Sequence, residues 1–102
     1  MNEGMSQEYE KAVLIEKEEI PYLRFPSDEV LLDPVQQEKR YEDLTSAMQL
    51  GNLYKRKVFI VFKDQEGIKK VRTTIWALTK KYVILKGGIV IPVCRVLKVE
   101  KF

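Results

Sequence analysis

Short β-strands joined by tight turns fill the second half of the chain and constrain its fold more than any other feature. Five runs rich in β-branched and aromatic residues follow one another over 57–63, 68–79, 82–86, 89–93 and 96–100. Asp64 to Gly67 is a turn sequence, and Gly87-Gly88 is a two-residue hairpin turn. Five short strands connected in this way predict a small, strongly bent β-barrel that is closed or nearly closed.

Alternating side chains of these strands supply the predicted core. The ten residues expected to close on one another are Val58, Ile60, Phe62, Val71, Ile75, Val83, Leu85, Ile91, Val93 and Val96.

A single helix is predicted immediately before the strands. Asp33 is a suitable N-cap, and Pro34 fits the first helical position. Apolar residues then recur at three- and four-residue spacing as far as Gly51, which reads as a C-terminal stop. The sequence therefore predicts a helix over 34–50 whose narrow apolar stripe caps a neighbouring core.

The residues before this helix form two predicted segments. Residues 1–10 are polar and acidic without a period and are expected to be a mobile tail. Residues 11–32 hold too many apolar groups for a free linker, while Pro21 and Pro26 exclude a continuous helix. We predict an extended arm with one short strand, packed on a single α+β domain that spans 33–102.

The residue types that the sequence lacks narrow the range of possible functions. The chain has no histidine, which excludes Ser-His-Asp and Cys-His catalytic units and leaves zinc without its usual nitrogen ligand. One cysteine, Cys94, excludes an internal disulfide and suits a reducing compartment. No stretch approaches the roughly 18 to 20 apolar residues of a membrane span. We expect a cytoplasmic, non-enzymatic protein without cofactor, metal or membrane partner.

Charge is divided unequally along the chain. Residues 1–50 hold twelve acidic against five basic residues, a net of −7, whereas residues 51–102 hold thirteen basic against three acidic residues, a net of +10. So strong a positive field in a small unit indicates a polyanionic partner, or an acidic partner within the protein itself. The N-terminal half is itself such a partner.

Several runs in the strands resemble a known family. VFIVF at 58–62, GIK at 67–69 and YVILK at 82–86 follow a helix, and almost no linker separates the last two strands. Residues 34–100 are in this way similar to the Sm-like fold, most of all to its bacterial Hfq branch, although Val93-Cys94-Arg95 stands where that branch has tyrosine, lysine and histidine. The resemblance implies an RNA-binding Sm/SH3-like barrel, a homo-oligomer, and Arg95 at a position that faces the pore of the ring.

Cations and aromatic residues on and around the first two strands form the predicted nucleic-acid site: Lys55, Arg56, Lys57, Phe59, Lys69, Lys70, Arg72, Trp76 and Arg95. On a regular strand Trp76 shares its outward face with Lys70, Arg72, Thr74 and Lys80. An aromatic ring among cations is suited to RNA or single-stranded DNA, because bases stack on the ring and lysines follow the phosphates. Alternatives remain for both features. A bend or bulge could turn Trp76 into the core, or the arm could cover it. The cations could serve only to keep the end of a hairpin solvated.

The same basic surface also permits a second function. The barrel could be a protein-interaction module that docks an acidic partner or its own acidic arm, with no nucleic-acid role. The two functions differ in one observable feature, which is whether Trp76 and Phe59 lie exposed among lysines or beneath residues 11–32.

Overall fold

The computed structural model describes residues 11–101, which form one α-helix, seven β-strands and two short 3-10 helices. Helix α1 spans Pro34–Tyr54, and the 3-10 helices span Lys17–Tyr22 and Val93–Arg95. The strands are β1 (Val13–Ile15), β2 (Val58–Lys63), β3 (Ile68–Thr73), β4 (Ile75–Leu78), β5 (Tyr82–Leu85), β6 (Val90–Pro92) and β7 (Val96–Glu100). The predicted α+β class is confirmed, and the predicted tail, residues 1–10, lies outside the described residues. None of the helices within 11–101 combines the length and the apolar character that a membrane span requires.

Helix α1 begins where the sequence predicts and ends later. The side chain of Asp33 accepts a hydrogen bond from the backbone N–H of Val35 at 2.9 Å, which is the expected N-cap. The predicted end at Leu50 is wrong. Gly51 continues the helix, and Lys55 forms the left-handed cap with a φ of 54°.

Close packing against strand β4 explains why Gly51 lies inside α1. A Cβ atom at this position would stand 2.6 Å from the carbonyl oxygen of Ile75 and 2.9 Å from Cγ2 of Thr74. Only glycine permits so close an approach of helix and strand. The residue that resembles a helix stop in the sequence is therefore a packing residue.

The strands form two sheets, and the described residues do not close into one barrel. The strand orders are β1-β3-β2-β7 and β4-β5-β6, with every pair antiparallel except β1 and β3. The strand predicted over 68–79 is divided at Thr74, where the chain passes from the first sheet to the second. Thr73 and Thr74 are both buried, which breaks the alternation of a regular strand. The sequence predicts a five-stranded barrel that is closed or nearly closed, whereas the described residues form two sheets around a shared core.

The core between the sheets is the predicted one. All ten residues expected to close on one another are buried, and nine of the ten have no exposed surface, the exception being Val93 at 6%. Leu44 and Ala47 of α1 also belong to the cluster and have zero exposure. Burial of each large apolar side chain contributes about 1.5–3 kcal/mol to stability.

The N-terminal arm is ordered against this core. Strand β1 pairs parallel to β3, with Ile15 opposite Val71. Ile15 and Ile20 are exposed by only 8% and 2% and belong to the hydrophobic cluster. The prediction of an arm that carries one short strand and packs on the rest of the protein is confirmed.

Candidate nucleic-acid interface

Trp76 projects from strand β4 at an irregularity in the pairing. Ile75 pairs with Leu85 and Ala77 pairs with Ile84, so that Trp76 is the extra residue of a β-bulge. Its side chain is 49% exposed, whereas Ile75 beside it has no exposed surface. The bulge therefore directs the tryptophan outward and not into the core.

The tryptophan borders a surface cleft of about 350 Å³, which we call the Trp76 cleft. The cleft lies where the last turn of α1 meets strand β4, the residue before β2 and the residue after β5. Its lining consists of Gly51, Asn52, Lys55, Lys57, Thr74, Trp76 and Lys86. The close approach of α1 to β4 at Gly51 brings the end of the helix beside the tryptophan.

The lining of the Trp76 cleft is positively charged. Lys55, Lys57 and Lys86 are exposed, and none of them forms an ion pair with another residue of the described segment 11–101. No acidic residue lines the cleft. Cations gathered on a concave surface raise the local concentration of anionic ligands.

Lys55 has a backbone conformation that lysine rarely adopts. Among the described residues it is the one non-glycine residue with a positive φ, and a Cβ atom in this region costs about 1 kcal/mol. A lysine near a helix C-terminus interacts favourably with the helix dipole, which recovers part of this cost. Glycine would serve the cap better, so the lysine supplies its charge to the cleft at some expense in stability.

Three other predicted site residues lie on the outer face of the four-stranded sheet. Phe59 pairs with Arg72 across β2 and β3, and the ammonium of Lys70 lies 4.7 Å from the centre of the Phe59 ring. Lys70 also lies 3.9 Å from the carboxylate of Glu100. Thr74, which was expected to share the face of Trp76 and Lys70, is buried at the break between β3 and β4.

Two predicted site residues have internal partners. Lys69 donates to both carboxylate oxygens of Asp64 at 2.8 and 2.9 Å within the β2–β3 hairpin. Arg95 is 4% exposed, and it donates to the carbonyl oxygen of Lys63 and to the carbonyl and carboxylate oxygens of Asp28. The expected ligand contact of Arg95 is corrected to a structural one, because this buried guanidinium holds the arm on the sheet. Lys69 stabilises the hairpin.

Four residues of the cleft lining are absent from the predicted site: Gly51, Asn52, Thr74 and Lys86. Asn52 was missed because the predicted helix ends before it. Lys86 follows a strand that pairs with β4, and its backbone N–H donates to the carbonyl of Thr74 at 3.0 Å. The glycine pair after Lys86 marks a hairpin in the sequence, but only the pairing of β5 with β4 brings this lysine to the tryptophan. Arg56 is exposed between two residues of the cleft lining.

Comparison with known proteins gives no relative for this chain. No family model matches it, no curated protein matches it, and no solved structure matches it. The fold and the site thus define an α+β protein of two sheets with a basic cleft beside an exposed tryptophan.

Proposed function

We propose that the protein is a non-enzymatic protein that binds single-stranded nucleic acid, with RNA as the first candidate, in the Trp76 cleft. The observation that carries the proposal is a half-exposed tryptophan among three lysines that have no acidic partner within residues 11–101. Stacking of a base on an aromatic side chain contributes about 1–3 kcal/mol, and lysines bind the flanking phosphates. Both contributions are available in one cleft.

Single strands fit this geometry better than duplexes. The bases of a duplex are stacked on each other, so an aromatic ring at the protein surface reaches only unpaired bases. The cleft, at about 350 Å³, has the size of sites that take one small ligand. We infer that one base occupies it at a time.

The protein-interaction alternative rests on contacts that lie elsewhere in the molecule. Asp28 binds Arg95, and Glu29 binds Arg40, so that the arm engages two buried arginines. Neither acid lines the Trp76 cleft. The arm can therefore stabilise the fold while the three cleft lysines face solvent, and an acidic peptide becomes a competitor to test against RNA.

We also propose that residues 34–100 are a distant relative of the Sm-like and SH3-like small barrels, and a homo-oligomer as in that family. In support, one helix precedes the bent strands, a 3-10 turn joins β6 to β7, and β7 returns to pair with β2. Sedimentation of the full chain with and without RNA tests the assembly, and a monomer at every concentration would contradict it.

Fluorescence of Trp76 provides a direct test of binding, because this is the only tryptophan in the chain. Titration with an eight-nucleotide oligouridylate at about 50 mM salt should quench the emission, and a duplex of equal length should leave it nearly unchanged. Trp76→Ala should weaken binding of the single strand by about 1–3 kcal/mol, measured by polarisation of a labelled oligonucleotide. Tyr22→Ala is the matched control, since Tyr22 is an aromatic residue that is 88% exposed and lies outside the cleft.

The cations need a separate test. Replacement of Lys55, Arg56 and Lys57 by alanine should weaken binding of all sequences alike, because phosphate contacts carry no base information. Lys80→Ala with Lys81→Ala, two exposed lysines outside the cleft, is the control; it removes two charges and the cleft variant removes three, so the loss of affinity is compared per charge removed. Absence of affinity for single-stranded RNA and DNA, together with binding of an acidic peptide, would reject the proposal in favour of a protein-interaction module.

A further inference from the structure

A second cleft lies between the N-terminal arm, helix α1, the start of β5 and the end of β6. Its volume is about 480 Å³, which is larger than that of the Trp76 cleft, and no residue lines both. We call it the Tyr82 pocket. It is lined by residues 25–27 and Glu29 of the arm, by Arg40 of α1, and by residues 80–82 and 92–94.

Apolar side chains form the larger part of the lining of the Tyr82 pocket: Phe25, Pro26, Tyr82, Pro92, Val93 and Cys94. The Tyr82 side chain is 45% exposed, and the Phe25 ring lies 5.8 Å from the ring of the buried core residue Phe62, centre to centre. A cleft of this volume with apolar and aromatic walls is typical of sites that bind one small organic molecule.

The charged part of the lining is positive. Lys80 and Lys81 are exposed, and neither forms an ion pair with another residue of the described segment. Glu29 is the one acid among the described lining residues, and Arg40 donates to both of its carboxylate oxygens at 2.6 and 2.7 Å. Three basic residues against one acid leave a net charge of +2 on the lining.

Hydrogen bonds between segments distant in sequence hold the walls of the pocket in place. The backbone N–H of Val30 donates to the carbonyl oxygen of Cys94 at 3.0 Å, and that of Val93 donates to the carbonyl oxygen of Lys81 at 2.8 Å. Asp28, which lies between lining residues of the arm, is bound by Arg95. The pocket is thus formed by the folded chain itself, which reduces the ordering that a ligand would have to impose.

We propose that the Tyr82 pocket binds a small aromatic anion, a planar ring system that carries one anionic group. The ring contacts the apolar lining, and Lys80 and Lys81 attract the anionic group. An anion without a ring lacks the apolar contact, and a neutral ring lacks the attraction of the lysines. This second site is separate from the proposed function, because none of its residues lines the Trp76 cleft.

Two fluorescent probes that differ by one anionic group test the proposal on the full chain. Anilinonaphthalene sulfonate carries the charge, phenylnaphthylamine is the same ring system without it, and both become brighter in apolar surroundings. Lys80→Ala with Lys81→Ala should weaken binding of the sulfonate about fivefold or more and that of the neutral probe much less. Lys11→Ala with Lys63→Ala is the matched control, since it removes two exposed lysines that line neither cleft.

The single cysteine of the chain locates the bound probe, because Cys94 lines the pocket. Alkylation of Cys94 by the uncharged reagent N-ethylmaleimide, followed by mass spectrometry, should slow about tenfold when the sulfonate is present at ten times its Kd. Unchanged alkylation by a probe that binds would place the probe elsewhere and overturn the inference.

Two further results would overturn it. One is equal loss of sulfonate binding in the two lysine variants, and the other is loss of sulfonate binding in Trp76→Ala, which would assign the probe to the Trp76 cleft. A wild type that does not bind the sulfonate would also reject the site. The oligonucleotide titrations depend on the Trp76 cleft, so each of these results leaves the proposed function to its own test.

Discussion

The carboxylate of Glu29 in the arm accepts hydrogen bonds from both terminal nitrogens of Arg40 on α1, at 2.6 and 2.7 Å. Nη1 of Arg40 also donates to the carbonyl oxygen of Val96 at 3.1 Å. One guanidinium, with its side chain 5% exposed, thus joins the arm, the helix and strand β7. A bidentate pair of this kind fixes geometry as well as charge.

This ion pair makes stability depend on pH. Burial by itself would raise the pKa of Glu29, but hydrogen bonds from Arg40 and from the backbone N–H of Leu31 outweigh it and hold the pKa below its usual value. The folded state therefore binds a proton at Glu29 less readily than the unfolded chain does. The stability contributed by the pair is complete above about pH 4.3 and is lost as the pH falls through the lowered pKa.

Glu29→Gln should lower the free energy of unfolding at pH 7 by about 1–3 kcal/mol, because a buried guanidinium loses its charged partner. The difference from wild type should narrow as the pH falls below about 4.3, because the unfolded wild-type chain takes up a proton at Glu29 there and the folded protein does so at the lowered pKa. Urea unfolding between pH 7 and pH 3 measures this, with Glu38→Gln, at an exposed position of α1, as the control. A difference that is constant with pH would contradict the argument.

Gly51→Ala should destabilise the protein, although alanine in a helix is ordinarily better than glycine by about 0.5–1 kcal/mol. The new Cβ would stand 2.6 Å from the Ile75 carbonyl oxygen, and moving α1 from β4 should cost about 1–3 kcal/mol. Thermal unfolding measures the sign of the effect, and Gln49→Ala at an exposed position of α1 is the control. An increase in melting temperature would show that the helix can shift without cost.

Lys55→Gly should separate stability from binding. Glycine relieves the positive φ and should raise the free energy of unfolding by up to about 1 kcal/mol, less the lost interaction with the helix dipole. Binding of single strands should weaken, and the salt slope should become shallower by about 0.7.

Lys55→Arg retains the charge and the strained cap, so both stability and binding should stay close to wild type. Chemical denaturation and oligonucleotide titration of the two variants give the comparison. Equal affinity of the glycine variant and wild type would remove Lys55 from the site.

Deletion of residues 1–32 should lower the melting temperature or cause aggregation. The arm contributes Ile15 and Ile20 to the core, and the partners of Arg40 and Arg95 leave with it. Two buried arginines without acids are strongly destabilising. Deletion of residues 1–10 alone is the control, and a truncated chain 33–102 as stable as the full protein would refute the role of the arm.

The strands and the core could be predicted from the sequence because alternation is a local property. Val58, Ile60 and Phe62 recur at every second position, and burial of one face follows from that spacing wherever the sheet packs. The helix start is also local, since Asp33 caps amides only two residues away. These features require no knowledge of the neighbours in space.

Tertiary structure decided which charged and aromatic side chains face solvent. Arg95 and Trp76 both read as candidate ligand contacts in the sequence, but Asp28, distant along the chain, binds Arg95, while a bulge turns Trp76 outward. Lys86 enters the site only because β5 pairs with β4, and Gly51 reads as a stop until Ile75 is known to lie against it. A side chain can bind a ligand only if no other part of the molecule already occupies it. The segments that occupy these side chains are distant in sequence, and the local pattern of residues does not show which segments meet in space.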